Sequence, residues 1–157
     1  MNIQNGRSAV AAGMLAALLA VGAAGTASAA EPRLVKIKAT DNLQYDVKTI
    51  QATPGEAIKV TLTTVSAMSK AEMSHNFVLL AKGTNVDAFA MDAAMARDNA
   101  YIPKAKAASI LAQTKLAGGG ETVEVVFNAP KEPGEYIYIC SFPGHYLGGT
   151  KGKLIVK

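Results

Sequence analysis

From residue 34 to residue 39 the chain alternates apolar and polar side chains, the period of a strand with one face in a core and one in water. Comparable alternating or β-rich runs recur at 45–52, 57–63, 76–80, 122–127, 136–140 and 153–156. Pro54-Gly55, Ala117-Gly118-Gly119-Gly120 and Pro133-Gly134 divide them with turn-forming residues, the triple glycine reading as a flexible turn. Short strands separated in this way predict an all-β fold, a sandwich or a barrel. One stretch has a different period. Residues 85–98 set Val86, Phe89, Ala90 and Ala93 on one face at helical spacing, with Thr84 or Asn85 placed to cap the start and Asp87 in the first turn. This predicts a single helix, about 85–98, inserted between strands and packed on the outside of the sandwich. Met91 and Met95 read as filler between that helix and the sheet.

The first thirty residues follow neither period. After Arg7, residues 9–30 carry no charge, and Ala27-Ser28-Ala29 supplies the small-x-small pattern of a signal-peptidase site. The expectation is a signal peptide at 1–29 and one domain at 30–157, a length that a single core can fill. An uncleaved membrane anchor is the competing reading, since about 20 apolar residues can cross a bilayer. The run is rich in Ala and Gly rather than Leu and Ile, and no basic stop follows it, which favours export without membrane insertion. Charge adds little. The 16 Lys and Arg against 12 Asp and Glu are scattered, as on a solvated surface, and form no basic stripe of the kind nucleic acid requires.

The candidate chemistry lies in "CSFPGHYLGGTKG", residues 140–152, which holds the chain's one Cys and one of its two His. A lone Cys in an exported protein is a reactive thiol, an intermolecular bridge, a ligand, or simply a small buried hydrophobe. A Cys–His nucleophile is disfavoured, because Cys140 closes a β-rich run and no oxyanion hole is evident nearby. A phosphate loop is excluded: its spacing would need Gly where Leu147 stands and Ser or Thr where Leu154 stands. One Cys and two His are too few for a zinc array without carboxylates. They do match a trigonal copper site, which takes two imidazoles, one thiolate and a weak axial ligand. His75, Cys140 and His145 are that inventory, split between a distant strand and a closing loop.

"SHNFVLL" at 74–80 and "CSFPGH" at 140–145 resemble the copper motifs of azurin and its cupredoxin relatives, as does "ILAQTKLAGGGETVEVVF" at 110–127. The resemblance extends over about 31–157, and the 85–98 helix falls where azurins carry their flap helix. It implies a Greek-key β-sandwich holding one type 1 copper ion, cycling Cu(I)/Cu(II), as a blue-copper electron-transport protein of the periplasm and not an enzyme. By position, His75, Cys140 and His145 match the three equatorial ligands. Asn76 matches the amide that pins the ligand loop, and Phe142 and Pro143 match loop residues that shield the thiolate. Ser74 stands where azurins have a glycine whose carbonyl approaches the metal. Met73, Pro143, Tyr146 and Leu147 would form an apolar docking rim. The implied partners are redox proteins such as a cytochrome or a copper/haem enzyme, met transiently by a monomer.

The axial position departs from the pattern. The azurin spacing puts the axial methionine four residues after the loop histidine, where this chain has Gly149; counting back from the following Lys-Gly puts Thr150 there. Three arrangements stay open: a three-coordinate site, an oxygen donor from water or Thr150, or a methionine such as Met73 reaching in. The azurin disulfide and tryptophan are also absent. The open axial side keeps copper delivery or storage as the alternative function, with a small copper enzyme as a third reading.

Overall fold

Among the described residues, nine strands form two sheets packed face to face. In chain order they are β1 (Arg33–Thr40), β2 (Gln44–Tyr45), β3 (Thr49–Ala52), β4 (Ala57–Val65), β5 (Val78–Leu80), β6 (Ile110–Gln113), β7 (Thr122–Asn128), β8 (Gly134–Ile139) and β9 (Lys151–Val156). The computed structural model describes Met1 and residues 31–157, so the expected signal peptide lies outside the described residues apart from Met1. One sheet has the order β2-β1-β4-β7 and the other β3-β9-β8-β5-β6. β1 runs parallel to β4 and β3 parallel to β9, while the remaining pairs are antiparallel. The all-β sandwich expected from the alternation is the observed architecture.

Alternation builds the core directly. On β4, Ile58, Val60, Leu62 and Thr64 are buried in strict alternation, and the first three share one core with Tyr136, Tyr138, Leu154 and Val156 from the other sheet. β5 reads Val-Leu-Leu with every residue buried because it is covered on both sides. Leu79 faces the sandwich interior; Val78 and Leu80 face a second apolar cluster under the helix.

That helix, α1 (Val86–Met95), is three residues shorter at its end than the predicted span; a separate 3₁₀ turn, Arg97–Asn99, follows. Asn85 caps it, its side chain accepting from Ala88 N at 3.0 Å. Phe89 and Ala93 are buried, with Val86 and Ala90 packed beside them, against Val78, Leu80 and Ile139 on the outer face of the five-stranded sheet. The methionines do not fill that interface. Met91 is 71 % and Met95 87 % exposed, because 91 and 95 lie on the face opposite Phe89 and Ala93.

Two other local expectations are revised. The 45–52 run is divided: Tyr45 pairs with β1 in one sheet and 49–52 with β9 in the other, so the chain changes sheets between them. The triple glycine is a close-packing device as well as a turn. A Cβ at Gly119 would collide with the Ser66 carbonyl, and one at Gly118 would lie 2.8 Å from Lys70 Cβ.

Val78 at the start of β5 pairs with Ile139 at the end of β8, and Ile139 pairs with Lys151 at the start of β9. The segment before β5 and the β8–β9 connection therefore emerge at the same end of the sandwich. Those are the segments that carry His75, Cys140 and His145.

Candidate metal centre

His75 is held by its own backbone before its side chain is considered. It forms an isolated antiparallel bridge with Ala117, with His75 N to Ala117 O at 2.9 Å and Ala117 N to His75 O at 2.8 Å. Thr64 Oγ1 donates to the same Ala117 carbonyl at 2.8 Å. Cys140 follows directly on β8, and its amide donates to Thr150 O at 3.0 Å, closing the base of the loop. Within the loop, Gly144 adopts a left-handed φ of 80°, which turns the chain into one helical turn, α2 (His145–Gly148). Gly149 ends it at φ 108°.

Asn76 ties the two ligand segments together. Its Nδ2 donates to Ser141 Oγ at 2.8 Å, and its Oδ1 accepts from Ser141 N at 2.9 Å. Tyr45 Oη donates to the Asn76 carbonyl from the opposite sheet. Outside the loop, Gln44 Nε2 donates to Gly148 O at 3.1 Å and Lys48 Nζ to Gly149 O at 3.2 Å. Ser141, Tyr45, Thr64 and Ala117 were not singled out by the sequence. Ser141 lies next to a candidate ligand, but its reciprocal partner is 65 residues away, and only the folded chain shows that pairing.

The donors converge. His145 Nδ1 lies 3.2 Å from His75 Nδ1 and 3.5 Å from Cys140 Sγ, and the three donor atoms all lie within 4.8 Å of one another. Three donors about 2.0–2.3 Å from a shared centre in a trigonal plane stand roughly 3.5–4 Å apart, so this trio fits a single ion. Cys140 and His75 are fully buried and His145 keeps a 4 % exposed edge. Burial pushes both imidazoles down to about 4. For His75 the Asp41 carboxylate and the Thr40 carbonyl oppose that shift, and for His145 the neighbouring His75 adds to it. Both rings are therefore neutral ligands at pH 7. Burial pushes the Cys140 thiol up to about 12, while the N–H groups of Asn76 and Phe142 favour its thiolate.

The remaining predicted residues surround this trio. The Ser74 carbonyl is 3.9 Å from Cys140 Sγ, and its hydroxyl is turned away to donate to Lys70 O. Phe142 packs on His145 with ring centroids 4.7 Å apart and is backed edge-on by Tyr101 at 5.0 Å. Thr150 is fully buried. A Cβ on Gly149 would run into the Gln44 amide, so side-chain space at position 149 leads to Gln44. Of the expected rim, Pro143 is exposed and Leu147 is 82 % exposed. Tyr146 is half-buried, donating to Asp87 Oδ1 at 2.8 Å with the Lys151 ammonium 4.7 Å above its ring. Met73 is 9 % exposed and offers a partner almost no surface. Beside Leu147 and Phe142 a cavity of about 400 Å³ runs to Met91 and Ala94 on α1.

A two-sheet Greek-key-like sandwich with a buried His–Cys–His trio at one end defines a blue-copper protein, a cupredoxin. The chain belongs to the plastocyanin/azurin family of copper binding proteins, whose description matches residues 33–157. It is 37 % identical to azurin-1 of Alcaligenes xylosoxydans xylosoxydans over 115 residues, covering 71 % of this chain and 88 % of that one. It is 36 % identical to outer membrane protein H.8 of Neisseria meningitidis serogroup B over 111 residues, covering 69 % of this chain but only 60 % of that relative's length. Among solved structures, auracyanin A, a "blue" copper protein from Chloroflexus aurantiacus, superposes with a TM-score of 0.69 at 33 % identity, covering 81 % of this chain and all of that one. The residues that would hold the one copper ion are His75, Cys140 and His145.

Proposed function

We propose that this protein is a one-electron carrier of the periplasm, exported by residues 1–29, working through the domain at 30–157 and exchanging electrons with redox proteins such as a cytochrome or a copper/haem enzyme. Bound copper supplies the one-electron couple between Cu(I) and Cu(II). The chain's own residues supply rigidity. Asn76, Ser141, Ala117 and the Cys140–Thr150 bond fix the donors before any ion arrives, and a site that is already built moves little on electron transfer.

The observation that carries this reading is the preformed trio itself, buried except for a narrow edge of His145. Pro143 and Leu147 stand out beside that edge, with Met91 on the neighbouring helix lining the same apolar cavity. A small apolar contact around a nearly buried imidazole suits brief encounters of the low-area kind typical of redox partners. No helix among the described residues is long and apolar enough to cross a membrane. Relatives named azurin and auracyanin share the fold and the family, in keeping with a carrier rather than an enzyme.

The test is the visible and EPR spectrum of the copper-loaded protein, followed by rapid-mixing electron exchange with a small haem protein. The expected result is an intense thiolate-to-Cu(II) band, narrow copper hyperfine splitting, and reversible exchange without loss of copper. Rapid copper release to a competing chelator, together with slow exchange, would support delivery or storage instead.

A further inference from the structure

Five serine and threonine side chains among the described residues are buried at this end of the sandwich or in its core: Thr64, Ser74, Thr114, Ser141 and Thr150. Four have partners. Thr64 donates to Ala117 O, Ser74 to Lys70 O and Thr114 to Lys115 O, while Ser141 accepts from Asn76. Thr150 Oγ1 has none. Buried hydroxyls are nearly always hydrogen-bonded, so an orphan requires an explanation. The one other buried side-chain nitrogen or oxygen without a partner among the described residues is His75 Nε2, on a ring already assigned to the metal centre.

The register of β8 and β9 shows where the orphan is aimed. Tyr138 lies opposite Gly152, Ile139 opposite Lys151, and the Cys140 amide bonds to the Thr150 carbonyl. Residues directly opposite each other on antiparallel strands send their side chains to the same face. Thr150 shares its parity on β9 with buried Leu154 and Val156, as Cys140 does on β8 with buried Tyr136 and Tyr138. The Thr150 side chain, with its orphaned hydroxyl, therefore emerges on the face of the Cys140 thiol, one strand away. Its amide is bonded to the carbonyl of His145 at 2.9 Å, so its backbone is locked to both loop ligands. The Ser74 carbonyl, on the His75 segment, is a second oxygen within 3.9 Å of the sulfur.

We infer that Thr150 Oγ1 is the axial donor of this copper centre, so that a hydroxyl oxygen takes the place of a thioether sulfur. The inference rests on the carrier reading only in requiring that copper bind at His75, Cys140 and His145. An oxygen donor is harder than sulfur and stabilises Cu(II) over Cu(I). The native protein is thereby set to a lower potential than the same fold with an apolar or thioether side chain at position 150.

The test compares copper-loaded wild type with Thr150→Ser, Thr150→Val and Thr150→Met, reading the intensity ratio of the thiolate-to-Cu(II) bands and the midpoint potential. Serine keeps the hydroxyl and is expected to reproduce the wild type in both. Valine, matched in volume, and methionine are each expected to shift the band ratio and to favour Cu(I) at least tenfold, about 59 mV for one electron. A folded valine variant with wild-type spectrum and potential overturns the inference. Wild-type protein carrying threonine deuterated at Cβ provides a check that needs no substitution. A deuterium coupling in pulsed EPR that places the Thr150 Cβ one hydroxyl oxygen away from Cu(II) supports ligation, and a coupling from farther away, or none, overturns it. A wild type with no thiolate-to-Cu(II) band overturns the carrier reading together with this one, so the two failures are distinguishable.

Discussion

At the scale of single residues, the centre depends as much on Asn76 as on the atoms that would touch a metal. Asn76 makes two reciprocal bonds to Ser141 across a separation of 65 residues. Replacing it with alanine removes both and strands the Ser141 amide in a buried site. At about 1 kcal/mol per lost bond, and more for an unsatisfied buried group, Asn76→Ala should destabilise the protein by roughly 2–3 kcal/mol, read from urea denaturation. Copper should also dissociate faster. A second expectation follows from the two imidazoles. Both are lowered from 6.5 to about 4 in the folded copper-free protein. Between those values the unfolded chain binds protons that the folded chain refuses. The histidine contribution to stability is therefore fully present above pH 6.5 and is lost as pH falls toward 4. Urea midpoints of the copper-free protein from pH 7 to 4 should fall over that window. A flat midpoint would mean that the rings are accessible to protons in the fold.

At the scale of elements, α1 is held by very few side chains. Phe89 is fully buried between α1 and β5, whereas Met91, two residues later, is 71 % exposed. Phe89→Ala should cost about 3–5 kcal/mol and Met91→Ala less than about 0.5 kcal/mol, measured by the same denaturation. This pair also marks what the sequence could disclose. The spacing of Val86, Phe89, Ala90 and Ala93 revealed the buried stripe, because burial against a sheet leaves a helical period. Methionine is apolar on either face, so its type alone did not show that Met91 and Met95 lie outside. Strands with one solvated face, such as β4, were legible from alternation. β6 carries Ile110 and Leu111 side by side, with Ala112 as its one buried position, and left no such trace. The passage of 45–52 from one sheet to the other is a tertiary decision; no local pattern records it. The metal trio was legible for a different reason, scarcity: one Cys and two His leave few combinations. The orphaned hydroxyl of Thr150 was not, since a partner's absence is visible only after every neighbour is placed.

At the scale of the whole molecule, the six ion pairs among the described residues, including Lys59–Glu124 and Lys82–Glu132, involve solvent-accessible side chains. Such pairs add little stability each. The face around His145 differs, with Pro143 and Leu147 exposed beside a nearly buried ring. Leu147→Lys should slow electron exchange with partner proteins severalfold and leave the absorption spectrum intact, since the side chain points to solvent. Stopped-flow rates across ionic strength would check this, and an altered spectrum would place Leu147 in shaping the centre itself. The Cys140–Thr150 hydrogen bond carries a consequence for how such a protein is altered. The sheet register beneath it, Ile139 with Lys151 and Tyr138 with Gly152, is set outside the loop. Everything between those two residues is thus a cassette with a closed neck. Loops of other lengths and donor sets can be exchanged there while the scaffold beneath keeps its pairing, which makes the centre a replaceable part of the molecule.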